Sequence, residues 1–158
     1  MSRLPDGWLN DNEADELRRL ATAKVVLELG AWKGRSTIVL AETARLVISI
    51  DKHGGISVAA DSGSSLDQYL ANIKGIANII PIIGDWNQVV PFLVPVFGLV
   101  YVDGNHDAES AESDLLLASE FSCTIAAHDW DFDSVQEGAS GAGFREPDRV
   151  VGSVAVWL

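Results

Sequence analysis

Short apolar runs alternate along this chain with stretches in which apolar residues return every three or four positions, the two periods of buried strands and amphipathic helices. Residues 10–23 carry Leu17, Leu20 and Ala21 at helical spacing, behind Asn10 or Asp11 as a cap and acidic first-turn residues, and predict a helix. The run 24–29, closed by Gly30, predicts a strand. Residues 34–44 predict a helix starting at a glycine, and 45–50, ending at Asp51, a second buried strand. A Gly/Ser-rich connection leads to a helix over 65–74. Residues 77–83 predict a third strand, which Pro81 places at a sheet edge because proline cannot donate to a ladder. A fourth strand over 97–102 ends at Asp103, a helix covers 108–120, and a fifth strand runs to Ala127, ending at His128 and Asp129. The tail predicts a flexible stretch over 138–143 and one last strand over 149–157.

Strands alternating with helices at this spacing imply βαβ units, hence an α/β fold with a mostly parallel sheet. Almost continuously apolar strands imply helices on both faces, a three-layer arrangement. No internal repeat is visible, and 158 residues suit one domain, 1–158, with 1–23 as its N-terminal helical segment.

Composition narrows the function classes. Hydrophobic residues make up 47% and charged residues 22%, a globular balance. The net charge of −12 repels phosphate backbones and anionic membrane faces, so neither nucleic acid nor membrane is an expected partner. A small-molecule substrate fits, and the sequence leaves a homo-oligomer open. Cys123 is the sole cysteine and lies in an apolar run, where a buried inert thiol is expected, with no disulfide framework. The first residues lack the apolar core of a signal peptide, and no run is long enough to span a bilayer, so the expected setting is the cytoplasm.

Polar residues collect at the strand ends. Gly30, Asp51, Asp85, Asp103 and the pair His128 and Asp129 each follow a predicted strand, the edge at which open α/β sheets bind ligands. Turns alone could account for any one of them, but account poorly for the set. Gly30 permits a tight turn and close backbone approach, and Gly34 opens a helix with free N–H groups. Trp32 stands where a dinucleotide fingerprint has its middle glycine, which argues against a pyrophosphate lying there. Asp51 offers two acceptor oxygens for the hydroxyls of a ribose, so loop and acid together favour an adenosine-containing ligand.

The stretches Val25-Val-Leu-Glu-Leu-Gly-Ala-Trp-Lys-Gly-Arg-Ser-Thr37, Ile50-Asp-Lys-His-Gly-Gly55, Ile83-Gly-Asp-Trp86, Val102-Asp-Gly-Asn-His106 and His128-Asp-Trp130, with the opening Asp6-Gly-Trp-Leu9, resemble one family in their order. This is the class I S-adenosylmethionine-dependent methyltransferases. The similar branch includes metal-dependent macrolide-sugar O-methyltransferases and cephalosporin-hydroxylase-like domains. The resemblance implies a Rossmann-like fold in which Glu28, Gly30 and Ser36 hold the methionine moiety, with Gly34 in the same cofactor loop. It implies that Asp51 binds the ribose and that Asp85 and Trp86 flank the adenine. Asp103 and Asp129 match the positions of Mg²⁺ ligands, with His128 or Asp131 as further additions, and His106 matches the general base. The implied activity is Mg²⁺-dependent O-methylation of a small hydroxylated molecule. Two departures stand out. One run, 149–157, replaces the usual sixth and seventh strands, and no insertion is large enough for a substrate lid.

Two rival readings use the same residues. Asp51-Lys-His53, Gly84-Asp85 and Gly104-Asn-His-Asp107 spell pieces of a binuclear metallophosphoesterase pattern, whose carboxylate, Asn and His ligands suit paired transition metals. The terminal Gly-His-x-His element is missing, and the strand, loop and helix before Asp51 go unexplained. The other rival is a catalytically inert cofactor-binding or interaction module, since fold alone does not imply chemistry.

Overall fold

The computed structural model describes residues 4–54, 65–94, 96–121 and 124–158; Cys123, expected to be a buried thiol, lies outside them. The helices are α1 (Asp11–Ala21), α2 (Arg35–Ala41), α3 (Ser65–Ile73), α4 (Trp86–Val89), α5 (Ala108–Ser119) and α6 (Asp133–Gly141). The strands are β1 (Val25–Leu29), β2 (Leu46–Asp51), β3 (Ile79–Ile83), β4 (Leu99–Val102), β5 (Thr124–Ala127), β6 (Arg149–Val151) and β7 (Val154–Trp157). They form one seven-stranded sheet in the order β3-β2-β1-β4-β5-β7-β6. The first five strands pair in parallel, and β7 pairs antiparallel with both β5 and β6. This is a Rossmann-like architecture, with short antiparallel strands at its C-terminal edge. Strand order reverses between β1 and β4, which makes their carboxyl ends the topological switch point.

The pleat decides which core each residue joins. Val26 packs in the layer of Leu17, Leu20, Val39, Leu40 and Tyr69, contributed by α1, α2 and α3. Its neighbours Val25, Leu27 and Leu29 pack in the layer of Leu115, Ala118, Phe121 and Ala139 on the other side. Both faces of the sheet are thus covered, which is why the central strands read as unbroken apolar runs. Pro81 stands in β3, an edge strand, as its missing N–H requires. Helix α1 starts at a capping box: Asn10 accepts from the Glu13 amide at 3.1 Å, and Glu13 accepts from the Asn10 amide at 2.8 Å. Among the described residues, no helix is long and apolar enough to cross a membrane.

Two expectations for the tail are corrected. The stretch 138–143 is not a flexible loop through its length, because α6 runs to Gly141. Its small residues serve packing: a Cβ on Gly138 would stand 2.6 Å from the Ala108 carbonyl oxygen and 2.7 Å from the Ala111 Cβ, so α6 lies directly on α5. The run 149–157 is not one strand but the hairpin β6–β7, reversed at Gly152, whose φ of 60° lies in the left-handed region. The sixth and seventh strands are therefore both present, in short form.

On β1, Glu28 shares the Val26 face and carries the one carboxyl group of an otherwise apolar strand. It is completely buried, and its oxygens accept from the Ser36 and Thr37 hydroxyls of α2, each at 2.6 Å. Burial pushes its pKa up to about 7 against the pull of these hydroxyls. A carboxyl group raised in the folded state stabilises the fold when protonated, and that contribution is lost as pH rises through about 7. Wild-type stability should thus carry a decline on the order of 3 kcal/mol between about pH 4.5 and 7 that Glu28→Gln removes. Urea denaturation at pH 5 and pH 8 checks this; an equal difference between variant and wild type at both pH values would refute it. For the helix contact, Gly138→Leu should lower stability by about 1–3 kcal/mol in the same assay. Ser140→Ala, on the exposed side of α6, should stay within about 0.5 kcal/mol of wild type.

Candidate active site

The β1–α2 loop is shaped by a close approach that only glycine allows. Gly30 has φ 91°, and a Cβ there would overlap the carbonyl oxygen of Asp103 at the end of β4. The following amides turn toward β2, where Asp51 Oδ2 accepts from the Ala31 and Trp32 N–H groups at 2.8 Å each. Asp51 Oδ1 accepts from the His53 amide at 2.6 Å. Trp32 has φ 44°, a left-handed conformation costly for a bulky residue, and its ring stacks on Trp8 at 4.6 Å. Gly34 caps α2 with φ 87°, and Ser36, in its first turn, is buried against Glu28. Glu28 therefore meets the first turn of α2 from beneath, through the Ser36 and Thr37 hydroxyls.

A second wall gathers the ends of β2, β3 and β4. Asp85 caps α4 by accepting from the Asn87 amide at 3.0 Å, and the Lys52 ammonium 2.9 Å away holds its carboxyl below the ordinary value. Lys52 also lies 5.8 Å from the centre of the Trp86 ring. Gly104 follows Asp103, and a Cβ there would stand 3.3 Å from Trp86 Cζ2. The Trp86 indole N–H donates to Asp114 Oδ1 of α5 at 2.6 Å.

The third part lies beyond β4 and β5. Asp103, His106 and Asp129 each bring a potential metal ligand within 4.8 Å of the others. His106 Nε2 lies 2.7 Å from Asp129 Oδ2, and its ring stacks on Phe132 at 5.3 Å. Asp107, not His106, caps α5, accepting from the Ser110 amide at 2.9 Å. His128 stands behind the cluster, with Nδ1 3.1 Å from Asp129 Oδ1 and 3.7 Å from Asp103 Oδ1. Burial works against its charge, but Asp129, Asp103 and Glu13 raise its pKa to about 9. Burial works against Asp129 as well, yet both imidazoles hold its carboxyl well below the ordinary range. Burial and the Asp129 charge push the Asp103 carboxyl up, and the Asp129 bond raises His106. Asp131 is exposed and stands outside the three-residue group.

The chain thus brings together Asp103, His106 and Asp129, and around the β1–α2 loop Gly30, Gly34 and Asp51, the two groups meeting where Gly30 approaches Asp103. Two residues went unread. Glu13 accepts from the Ser153 amide at 2.8 Å and lies 3.5 Å from His128 Nε2; the sequence showed it only as an acidic first-turn residue, and the spacing Asn10-x-x-Glu13 carries no sign of this second contact. Asp114 is a carboxylate on the buried stripe Ala111, Asp114, Leu115 and Ala118, an anomaly visible in the helical spacing itself. The phosphoesterase pieces do not converge. Asp51 holds loop amides, His53 packs on Tyr69 at 4.7 Å, and Asp85 pairs with Lys52.

Compared by sequence with curated proteins, the chain matches none. Its fold is shared with solved structures. A cofactor-bound protein from MTB, Rv0187, superposes with a TM-score of 0.68 at 21% identity over 89% of this chain and 70% of that one. An O-methyltransferase from Bacillus cereus in complex with SAH gives 0.66 at 18% identity over 89% and 71%. The precorrin 8w decarboxylase of Methanobacterium thermoautotrophicum gives 0.65 at 17% identity over 96% and 90%. At such identities the likeness concerns the fold, which serves more than one reaction. The sequence itself is more specific: a family model described as a methyltransferase domain matches residues 27–130, more than half of the chain and every strand end of the candidate site. That match removes the phosphoesterase reading, and the chain belongs to the methyltransferase-domain family.

Proposed function

We propose that this chain transfers a methyl group from S-adenosylmethionine to an oxygen of a small hydroxylated molecule, with Mg²⁺ at the acidic cluster. The observation that carries the reading is the convergence of Asp103, His106 and Asp129 at the switch-point edge, where Asp103 itself receives the close approach of Gly30. The two carboxylates, Asp103 and Asp129, suit a divalent cation that keeps part of its water, which leaves the His106 imidazole for the proton. The glycines let the strand-end loops turn tightly: a Cβ on Gly30 would overlap the Asp103 carbonyl and one on Gly104 would meet the Asp114 carboxylate, so both loops stay close to the edge where the cofactor would lie. Gly30, Gly34 and Ser36, with Glu28 acting through Ser36, would hold its amino-acid end. Asp51 would take the ribose and Asp85 with Trp86 the base. The likeness to a SAH complex from Bacillus cereus supports that ligand. When bound, the cofactor supplies an electrophilic methyl carbon, and the cation supplies charge that lowers a hydroxyl pKa.

The chain's own part is alignment and proton removal. His106 is half-exposed beside the cluster, so its ring can meet an acceptor hydroxyl from solution. Asp129 fixes that ring and stabilises the imidazolium formed when His106 takes the proton. His128, itself faced by Glu13, holds Asp129 from behind. The charge of −12 supports a neutral or cationic small acceptor over nucleic acid, and a cytoplasmic setting suits the reading.

Calorimetry with S-adenosylhomocysteine tests the cofactor. Asp51→Ala should weaken binding about 10- to 100-fold, since it removes a charged acceptor that also orders the loop amides. Absence of wild-type binding at high micromolar ligand would overturn the reading. The cation is tested without substrate by following free Mn²⁺ in electron paramagnetic resonance. Wild type should deplete the free signal, and Asp129→Asn should bind at least about 10-fold more weakly. Donor binding without Mn²⁺ uptake would leave a metal-free transferase working through His106 and Asp129. With an accepted hydroxyl substrate, His106→Ala should lower turnover by about 10²- to 10⁴-fold at unchanged S-adenosylhomocysteine affinity. Full turnover in that variant would remove His106 from the mechanism.

A further inference from the structure

Asp114 is a costly residue for its place. It stands on the core-facing stripe of α5 at 3% exposure, among Ala111, Leu115 and Ala118. Burial raises its pKa to about 6, against the pull of the Trp86 indole and the Lys52 charge. Only one of its oxygens is paired: Oδ1 accepts the Trp86 indole N–H at 2.6 Å, whereas Oδ2 has no hydrogen-bond partner among the described residues. A half-satisfied buried carboxyl group destabilises a fold relative to an apolar side chain of similar size. Stability therefore does not explain its presence.

What Asp114 touches does. Its Oδ2 lies 2.6 Å from where a Cβ on Gly104 would be, so the carboxylate runs directly under the bare backbone that follows Asp103. Its Oδ1 fixes the edge of the Trp86 ring, whose Cζ2 lies 3.3 Å from the same point. The Trp86 ring is otherwise mounted on a helix of four residues, with Lys52 approaching it and pairing with Asp85. So short a helix sets the direction of a large side chain poorly, and the bond to the long helix α5 supplies the missing constraint.

We propose that Asp114 is a positioning residue for the cofactor's purine: by holding the Trp86 indole against Gly104, it fixes the wall that receives the base. This rests on the reading that the site binds S-adenosylmethionine. Asp114 touches no reacting atom and acts through Trp86.

Titration with S-adenosylhomocysteine, paired with thermal melting, tests the proposal on the full chain. Asp114→Ala should weaken binding about 10-fold or more while leaving the melting temperature at or above that of wild type, because a strained buried charge is gone. A residue with a merely structural role would do the reverse. Asp114→Asn, whose amide oxygen still accepts from the indole, should restore affinity to within about threefold of wild type. Trp86→Phe removes the donor from a partly exposed ring and should weaken binding by itself. Adding Asp114→Ala to it should change the affinity by less than about threefold, the mark of two residues acting as one unit. Wild-type affinity in Asp114→Ala, no rescue by Asn, or fully additive effects with Trp86→Phe would each overturn the proposal while leaving cofactor binding intact. Absence of binding by the wild type would overturn the cofactor reading, and this inference with it.

Discussion

The site depends on one contact, the approach of Gly30 to the Asp103 carbonyl where β1 and β4 end side by side. The ladder carries the two chains there in register: Leu29 pairs with Val102, Asp103 N donates to the Leu29 carbonyl, and Gly30 N to the Ile50 carbonyl. At the next step the strands part, because strand order reverses between them. A side chain at residue 30 would wedge the ends apart. With none, the loop folds over at positive φ and its next two amides point at Asp51. Three strand ends are thereby locked by backbone and one carboxylate, and Trp32 is carried into a left-handed conformation that its stack on Trp8 helps to maintain.

The acids beyond β4 and β5 show how neighbours separate like groups. Asp129 takes contacts from both His106 and His128 and is held ionised, while at Asp103 burial and the negative neighbour outweigh the pull of His128 and the Tyr101 hydroxyl and push the carboxyl the other way. Two carboxylates with opposed shifts in one recess are what a site needs to hold charge on one side and exchange protons on the other. The φ of 57° at Asp129 aims its two oxygens at different imidazoles, so backbone conformation and electrostatics select the same arrangement.

The sequence was legible where a single rule governed a residue. Unbroken apolar runs located the five parallel strands, Pro81 located an edge, and acids or glycines at strand ends pointed to the candidate site. It was opaque where tertiary contact overrode local chemistry. The residues from 138 to 143 read as a flexible stretch because glycine and serine usually loosen a chain, yet through Gly141 they belong to α6, and against α5 the lack of side chains is what permits close packing. Gly152 and Ser153 were lost inside an apolar run, although a glycine at positive φ is what a tight reversal uses. Asp114 and Glu13 were invisible as site residues, because each earned its role from a partner distant in sequence, Trp86 and His128.

The segments flanking residues 27–130 acquire their meaning from Glu13 and Glu16. Both are buried on α1, and both reach the C-terminal hairpin: Glu13 takes the amide and hydroxyl of Ser153, and Glu16 pairs with Arg149 and Arg19. Gly152 is needed beside them, since a Cβ there would overlap the Glu13 carboxylate. Glu13 also faces His128, so the clamp that joins helix to hairpin ends on the imidazole that supports Asp129. Arg35 fastens the stretch before α1, donating to the Leu9 carbonyl at 2.8 Å and the Pro5 carbonyl at 2.9 Å from the first turn of α2. Against the cost of burial, the amides of Ser153 and Asn10 hold Glu13 below its ordinary pKa, so it stays charged opposite His128. Among the described residues, these ion pairs and backbone bonds tie the segments on either side of 27–130 to one another and brace the acidic cluster through His128.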